Sequence, residues 1–177
     1  MIIKTCGLLF ALATLLGCTT TRTRVVSNAH IPTGQPVVVV ESHQKLVLPA
    51  EFGVLGPPEF PAHAFKARPR SVLVCLAFTV DDGGAVVDID PESFVSEGCV
   101  DASETGSAPF VDASIAAVER WSFLAAAVCT FRSVEAAQKS DEDCTGALAV
   151  ESIPVRLAWT FLFTVDREGR STVSVRR

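Results

Sequence analysis

Read for alternation, the chain has one dominant stretch, Ser71 to Asp90, SVLVCLAFTVDDGGAVVDID. Val72, Val74, Leu76, Phe78 and Val80 recur every second residue, the period of a strand. Asp81-Asp82-Gly83-Gly84 is an acidic, glycine-rich turn, and Ala85, Val87 and Ile89 begin a return strand. Leu73, Cys75 and Ala77, on the other face of the first strand, are also apolar, so the pattern predicts a strand covered on both sides. A second strong alternation runs from Val155 to Val165, with Leu157, Trp159, Phe161 and Phe163 facing one way and Arg156, Thr160 and Thr164 the other. Asp166 to Gly169 reads as a turn, and Ser171 to Val175 as a returning edge strand whose Arg176-Arg177 ending discourages further pairing.

Between the two alternations the period changes. Ser107 and Pro109 mark a helix start, and Val111, Ile115, Val118 and Trp121 form a stripe at helical spacing. Gly56 to Pro61 reads as a turn into a short helix over Ala62 to Ala67. Pro36 to Val40 reads as a strand, with a second apolar patch at Leu46 to Leu48. Pro91 to Ala108 is a polar loop, and Ser122 to Ile153 shows no regular pattern. The fold class that follows is α+β, a small antiparallel sheet of about three or four strands with two helices packed on one face. Phe78, Trp121, Phe123 and Trp159 are the expected heart of its core, with both Trp rings over the Val74, Leu76 and Phe78 face.

The N-terminus changes the picture. A short start containing Lys4 precedes an apolar run of eleven residues, Cys6 to Leu16. That run is too short to span a bilayer and has the length of a signal-peptide core. Leu15-Leu16-Gly17-Cys18 resembles the lipobox of bacterial lipoproteins. The resemblance implies a signal peptide over residues 1–17, cleavage before Cys18, lipidation there, and (with Thr19 rather than Asp next) an outer-membrane address facing the periplasm. A plain secretory leader is the alternative. Residues 18–56 then form a tether and N-terminal extension, and residues 57–177 the folded domain. Fifteen Lys and Arg against 20 Asp and Glu give a net charge of −5, which argues against nucleic acid as a partner.

Four groups of residues, in order, resemble the C-terminal domain of the TonB family. They are Phe60-Pro61; Phe78-Thr79-Val80-Asp81 with Gly84 and Val86; Phe110-Val111-Asp112-Ala113 running to Trp121-Ser122-Phe123; and Pro154-Val155. The chain departs from the family at Ala125, where Pro is usual, and in two longer stretches, Pro91 to Gly106 and Val128 to Ser152. The resemblance implies a protein–protein interaction module, linked to envelope transport, that takes an envelope partner by adding its strand to a sheet edge. One alternative is an energy-transducer-like protein acting on TonB-dependent outer-membrane receptors, and a second is a small periplasmic enzyme. Phe163-Thr164-Val165-Asp166 echoes Phe78 to Asp81, which two hairpins with similar turn chemistry explain.

Beyond the leader and Cys18 four cysteines remain, Cys75, Cys99, Cys129 and Cys144, an even number that suggests two disulfides in an oxidising compartment. A Cys129–Cys144 bridge would clasp the second long stretch locally. The rival joins Cys75 to a cysteine of one of the long stretches, pinning it over the sheet, and an unpaired, buried Cys75 is a third reading. No C-x-x-C spacing points to redox catalysis or zinc. His30, His43 and His63 have no nucleophile or carboxylate at a recognisable spacing. Asp81-Asp82, Asp88 and Asp90 lack a regular calcium loop and read as turn chemistry. The sequence therefore nominates no catalytic residue, no metal ligand and no cofactor.

Overall fold

A computed structural model describes residues 38–61, 71–91, 98–100, 106–140, 143–165 and 170–176. Its elements are β1 (Gln44–Val47), β2 (Ala50–Glu51), β3 (Ser71–Val80), β4 (Val86–Asp90), α1 (Ala108–Val118), β5 (Phe123–Leu124), β6 (Ala126–Thr130), α2 (Val134–Lys139), β7 (Ala149–Ile153), β8 (Val155–Val165) and β9 (Ser171–Arg176). The main sheet is antiparallel with strand order β4-β3-β8-β9. Its two long alternations meet as neighbours: every residue of β3 pairs with β8, with Val74 opposite Phe161, Leu76 opposite Trp159 and Phe78 opposite Leu157. Each pair places two apolar side chains on one face, so a one-residue slip in register would turn one set to the other face.

That face is the core. Val74, Leu76, Phe78, Val80, Trp159, Phe161 and Phe163 are buried in one cluster with Phe110, Val111 and Val118 of α1 and with Trp121 and Phe123. The rings of Trp121 and Trp159 meet edge to face at 5.0 Å, and those of Phe110 and Phe163 at 5.1 Å. Such pairs add to the area they bury. The buried stripe of α1 is Phe110, Val111, Ser114, Ala117 and Val118, with Ile115 only partly covered. It is rotated from the expected stripe because small Ser114 and Ala117 let the helix lie close. The Ser114 hydroxyl donates to the Phe110 carbonyl at 2.8 Å and so is buried without an unmet group.

The β3–β4 turn follows from its residues. Asp81 Oδ1 accepts from the N–H groups of Gly83 (2.9 Å) and Ala85 (2.8 Å), and the Gly84 N–H donates to the Asp81 carbonyl at 3.0 Å. Gly84 has φ +85°, and its carbonyl accepts from the Phe123 N–H at 2.9 Å. A Cβ on Gly84 would stand 2.0 Å from the Phe123 carbonyl oxygen, so only glycine fits.

The stretch read as patternless, Ser122 to Ile153, instead folds into β5, β6, α2 and β7. β1 pairs with β6 and β2 with β5 in one continuous register, Gln44 opposite Thr130 through Glu51 opposite Phe123. The two pairs are one ribbon interrupted around Pro49, which has no N–H to give. β7 joins β6 to complete a three-stranded sheet, and α2 closes over it with Ala127, Cys129, Phe131 and Ala137 buried together. Ser133 caps α2 by accepting from the Ala136 N–H at 3.3 Å.

Two expectations are corrected. The main sheet has four strands as expected, but the described residues hold nine strands in all, because the second long stretch and the segment before it build further sheets. The helix α2 is unexpected and lies over the second sheet, while α1 covers the main one. Val38 to Val40 form no strand, and Val39 is 88% exposed; Pro36, Val37 and the helix expected over residues 62–67 lie outside the described residues.

Gly84→Ala is expected to cost at least about 3 kcal/mol, of which the left-handed conformation accounts for about 1–2. Gly146 also has positive φ (+83°) but open space around it, so Gly146→Ala should lose only that smaller part. Urea denaturation of the two variants checks this, and equal losses would contradict the close approach at Phe123.

Candidate functional site

A sheet offers chemistry to a partner at its edges, where backbone N–H and C=O groups lack a neighbour. At one edge of the main sheet β4 is irregular. The register shifts between Ala77 and Thr79, where Asp88 adopts φ +50° in a bulge. Arg156 reaches over this edge, donating to the Asp88 carbonyl at 3.4 Å and lying 3.5 Å from the Asp90 carboxylate. Where β4 leaves β3, the Val100 N–H donates to the Leu73 carbonyl at 2.9 Å, so the segment 98–100 lies beside β3 at Leu73.

The other edge is different. All six residues of β9 pair with β8 in unbroken register, Ser171 opposite Val165 through Arg176 opposite Thr160. The Thr164 and Thr172 hydroxyls bond to one another across the strands, and Val173 packs on the core. Among the described residues β9 pairs with β8 alone, leaving a regular edge of alternating donors and acceptors. The second sheet ends at two edge strands: β1 is four residues long and carries Lys45, and β7 carries Glu151 and stops at Pro154. The candidate site is the outer edge of β9.

The four cysteines are joined as Cys75–Cys99 and Cys129–Cys144. The second bridge is the local clasp. The first ties the segment 98–100 to the second face of β3, where Leu73, Cys75 and Ala77 gave the apolar pattern. The two rival pairings thus divide between them, a Cys75 bridge to one long stretch and a local bridge in the other, and Cys75 is not free. Cys129 is fully buried beneath α2, and Lys45 Nζ donates to the Ser140 carbonyl at the end of that helix at 2.9 Å. Beside Cys144, Asp143 accepts from the Thr145 N–H (2.9 Å) and hydroxyl (2.8 Å), which hold its carboxyl below the ordinary carboxylate range.

Phe78, Trp121, Phe123 and Trp159 all lie in the main core. The Trp121 indole N–H donates to the Gly56 carbonyl at 2.9 Å, fastening the N-terminal segment; that of Trp159 is buried with no hydrogen-bond partner. His43 sits at the surface, 3.5 Å from Glu41. Cys18, His30 and His63 lie outside the described residues. Asp81 serves the turn and Asp88 the bulge. Among the described residues no group of three or more His, Cys, Asp or Glu is placed to hold a metal ion, and no helix is long and apolar enough to cross a membrane.

Sequence reasoning missed the closure of the β4 edge. Val86-Val87-Asp88-Ile89-Asp90 alternates only up to the bulge, and the Asp-rich end was the available signal. No family model matches the chain, and neither a curated protein nor a solved structure matches it.

Non-reducing peptide mapping is expected to give Cys75–Cys99 and Cys129–Cys144 linked peptides, and a Cys75 link to Cys129 or Cys144 would contradict the fold. Removing the local clasp in Cys129→Ala/Cys144→Ala should cost about 3 kcal/mol from chain entropy for a separation of 15 residues, read by urea denaturation.

Proposed function

We propose that this chain is a periplasm-facing lipoprotein, anchored at Cys18, whose domain is a non-catalytic protein–protein interaction module of the TonB C-terminal type. It captures an extended segment of an envelope protein as an added strand. The observation that carries the reading is the asymmetry of the main sheet: a bulge, Arg156 and the disulfide-tied segment 98–100 obstruct the β4 side, while β9 is regular in register and unpaired on its outer side among the described residues. Strand addition draws affinity from main-chain hydrogen bonds and specificity from alternate side chains. The order of the Phe-Pro, Phe-Thr-Val-Asp, Trp-Ser-Phe and Pro-Val motifs supports the family assignment, and the Leu-Leu-Gly-Cys sequence supports the anchor.

The test places a photo-crosslinking amino acid at exposed Thr172 on β9 and, as control, at exposed Glu151 on β7. Irradiation of cells is expected to give a discrete adduct with an envelope protein from position 172 and none from position 151. Equal adducts from both positions, or none from either, would overturn the β9 site.

A further inference from the structure

The β2–β5 end of the ribbon carries large apolar side chains that stand exposed among the described residues. Phe52 is 62% exposed, Val54 96% and Leu124 56%, with Leu48 exposed just before them. Their placement is not scattered. Ala50 lies opposite Leu124, and the Phe52 N–H donates to the Ser122 carbonyl at 3.0 Å, so Phe52 stands two residues along from Ala50 on the same face as Leu124. Val54 follows the turn at Gly53, which has φ +82°. Glu51, between Ala50 and Phe52, faces the other way, paired with Phe123. The stripe therefore presents apolar groups with no charge among them, on a ribbon whose other face joins the core through Phe123. Contiguous exposed apolar surface of this kind marks a contact with a partner or a membrane.

We propose that this stripe is a phospholipid-contacting surface that seats the domain on the membrane to which Cys18 is anchored; the proposal rests on the lipoprotein reading above. The chain outside the structure argues for lipid as the occupant. Only twenty peptide steps separate Cys18 from Val38, a contour of at most about 70 Å, so the fold is confined to the bilayer's vicinity. The chain also enters the described fold on the exposed side chains of Val38 and Val39, at the start of the segment that leads into the stripe. A lipid anchor removes the cost of bringing the domain to the surface, so a small apolar contact suffices to orient it. The protein's net charge of −5 means that apolar contact rather than attraction to anionic headgroups holds it there. Seated in this way, the stripe is fixed against lipid and the β9 edge, on a different sheet, is left for the partner strand.

The experiment uses the full chain with its native lipid, reconstituted into vesicles of phosphatidylethanolamine and phosphatidylglycerol with brominated acyl chains. Phe52→Trp places a reporter in the stripe, while Trp121 and Trp159 are buried and out of reach. Leu148→Trp is the control: it is exposed but sits by Thr130, to whose carbonyl its N–H donates at 2.7 Å, six residues and about 20 Å from Leu124 along the ribbon. Emission from position 52 is expected to fall about two-fold relative to unbrominated vesicles, as for a side chain at the headgroup–acyl boundary, with none of that fall at position 148. Flotation and the mass of the N-terminal peptide report separately whether Cys18 carries lipid. A lipidated, floating chain with no quenching at position 52, or with equal quenching at both, overturns the stripe and leaves the anchor intact. A chain whose Cys18 bears no lipid removes the anchor and the proposal together. A photo-reactive phenylalanine at position 52 should crosslink to lipid in cells, and a discrete protein adduct in its place also overturns the assignment.

Discussion

The hydrogen bond from the Phe123 N–H to the Gly84 carbonyl, 2.9 Å long, is the point at which the two halves of this molecule meet. It exists only because Gly84 has no side chain: a Cβ would lie 2.0 Å from the Phe123 oxygen. On either side of that contact the chain commits to both sheets at once. Trp121 and Phe123 bury their rings against Phe78 and Trp159 of the main sheet, while the Ser122 carbonyl accepts from Phe52 and the strand runs on into β6 of the second sheet. Three consecutive residues thus hold the end of α1, the turn of the β3–β4 hairpin and the start of the ribbon. Loss of the approach at Gly84 would separate elements that otherwise share one core.

The same join decides which surfaces remain for partners. With the ribbon docked at the hairpin turn, one face of the main sheet is closed by α1, Trp121 and Phe123. The Cys75–Cys99 bridge then holds the segment 98–100 along β3, and the bulge at Asp88 with Arg156 blunts β4. Closing an edge by bulges, charges and covalent cover is how sheets avoid indiscriminate pairing. One side of this sheet carries all three devices, and β9 pairs with β8 in unbroken register. On the proposed reading, the fold spends its protection where pairing would be harmful and leaves one regular edge for a partner.

Much of the main sheet was legible because its side chains announce it. Large apolar side chains at every second position over Val72 to Val80 and over Leu157 to Phe163, with an Asp-Gly turn after the first, mark two strands that share one face. The two Trp rings and Phe123 were legible for their size, since burying them is worth more than any alternative placement. The second sheet was not legible, because its core is built from Ala127, Ala137 and a disulfide with one large side chain, Phe131. Its ribbon is also split at Pro49, and α2 is only six residues long, so neither period had room to appear. Of the candidate site, the edge strand at Ser171 to Val175 could be read from its position after a turn. Its isolation could not, since that depends on Asp88 and Arg156 closing the opposite edge.

Native-state hydrogen exchange tests most directly whether the Gly84–Phe123 contact makes the two sheets one structure. If it does, the amide of Phe123, the central amides of β3 such as Leu76, and the amides of β6 such as Cys129 will exchange through the same opening, with one free energy equal to that of global unfolding. If the β6 amides and that of Phe123 exchange at a markedly lower free energy than those of β3, the second sheet opens on its own and the join is not the constraint that holds the fold together.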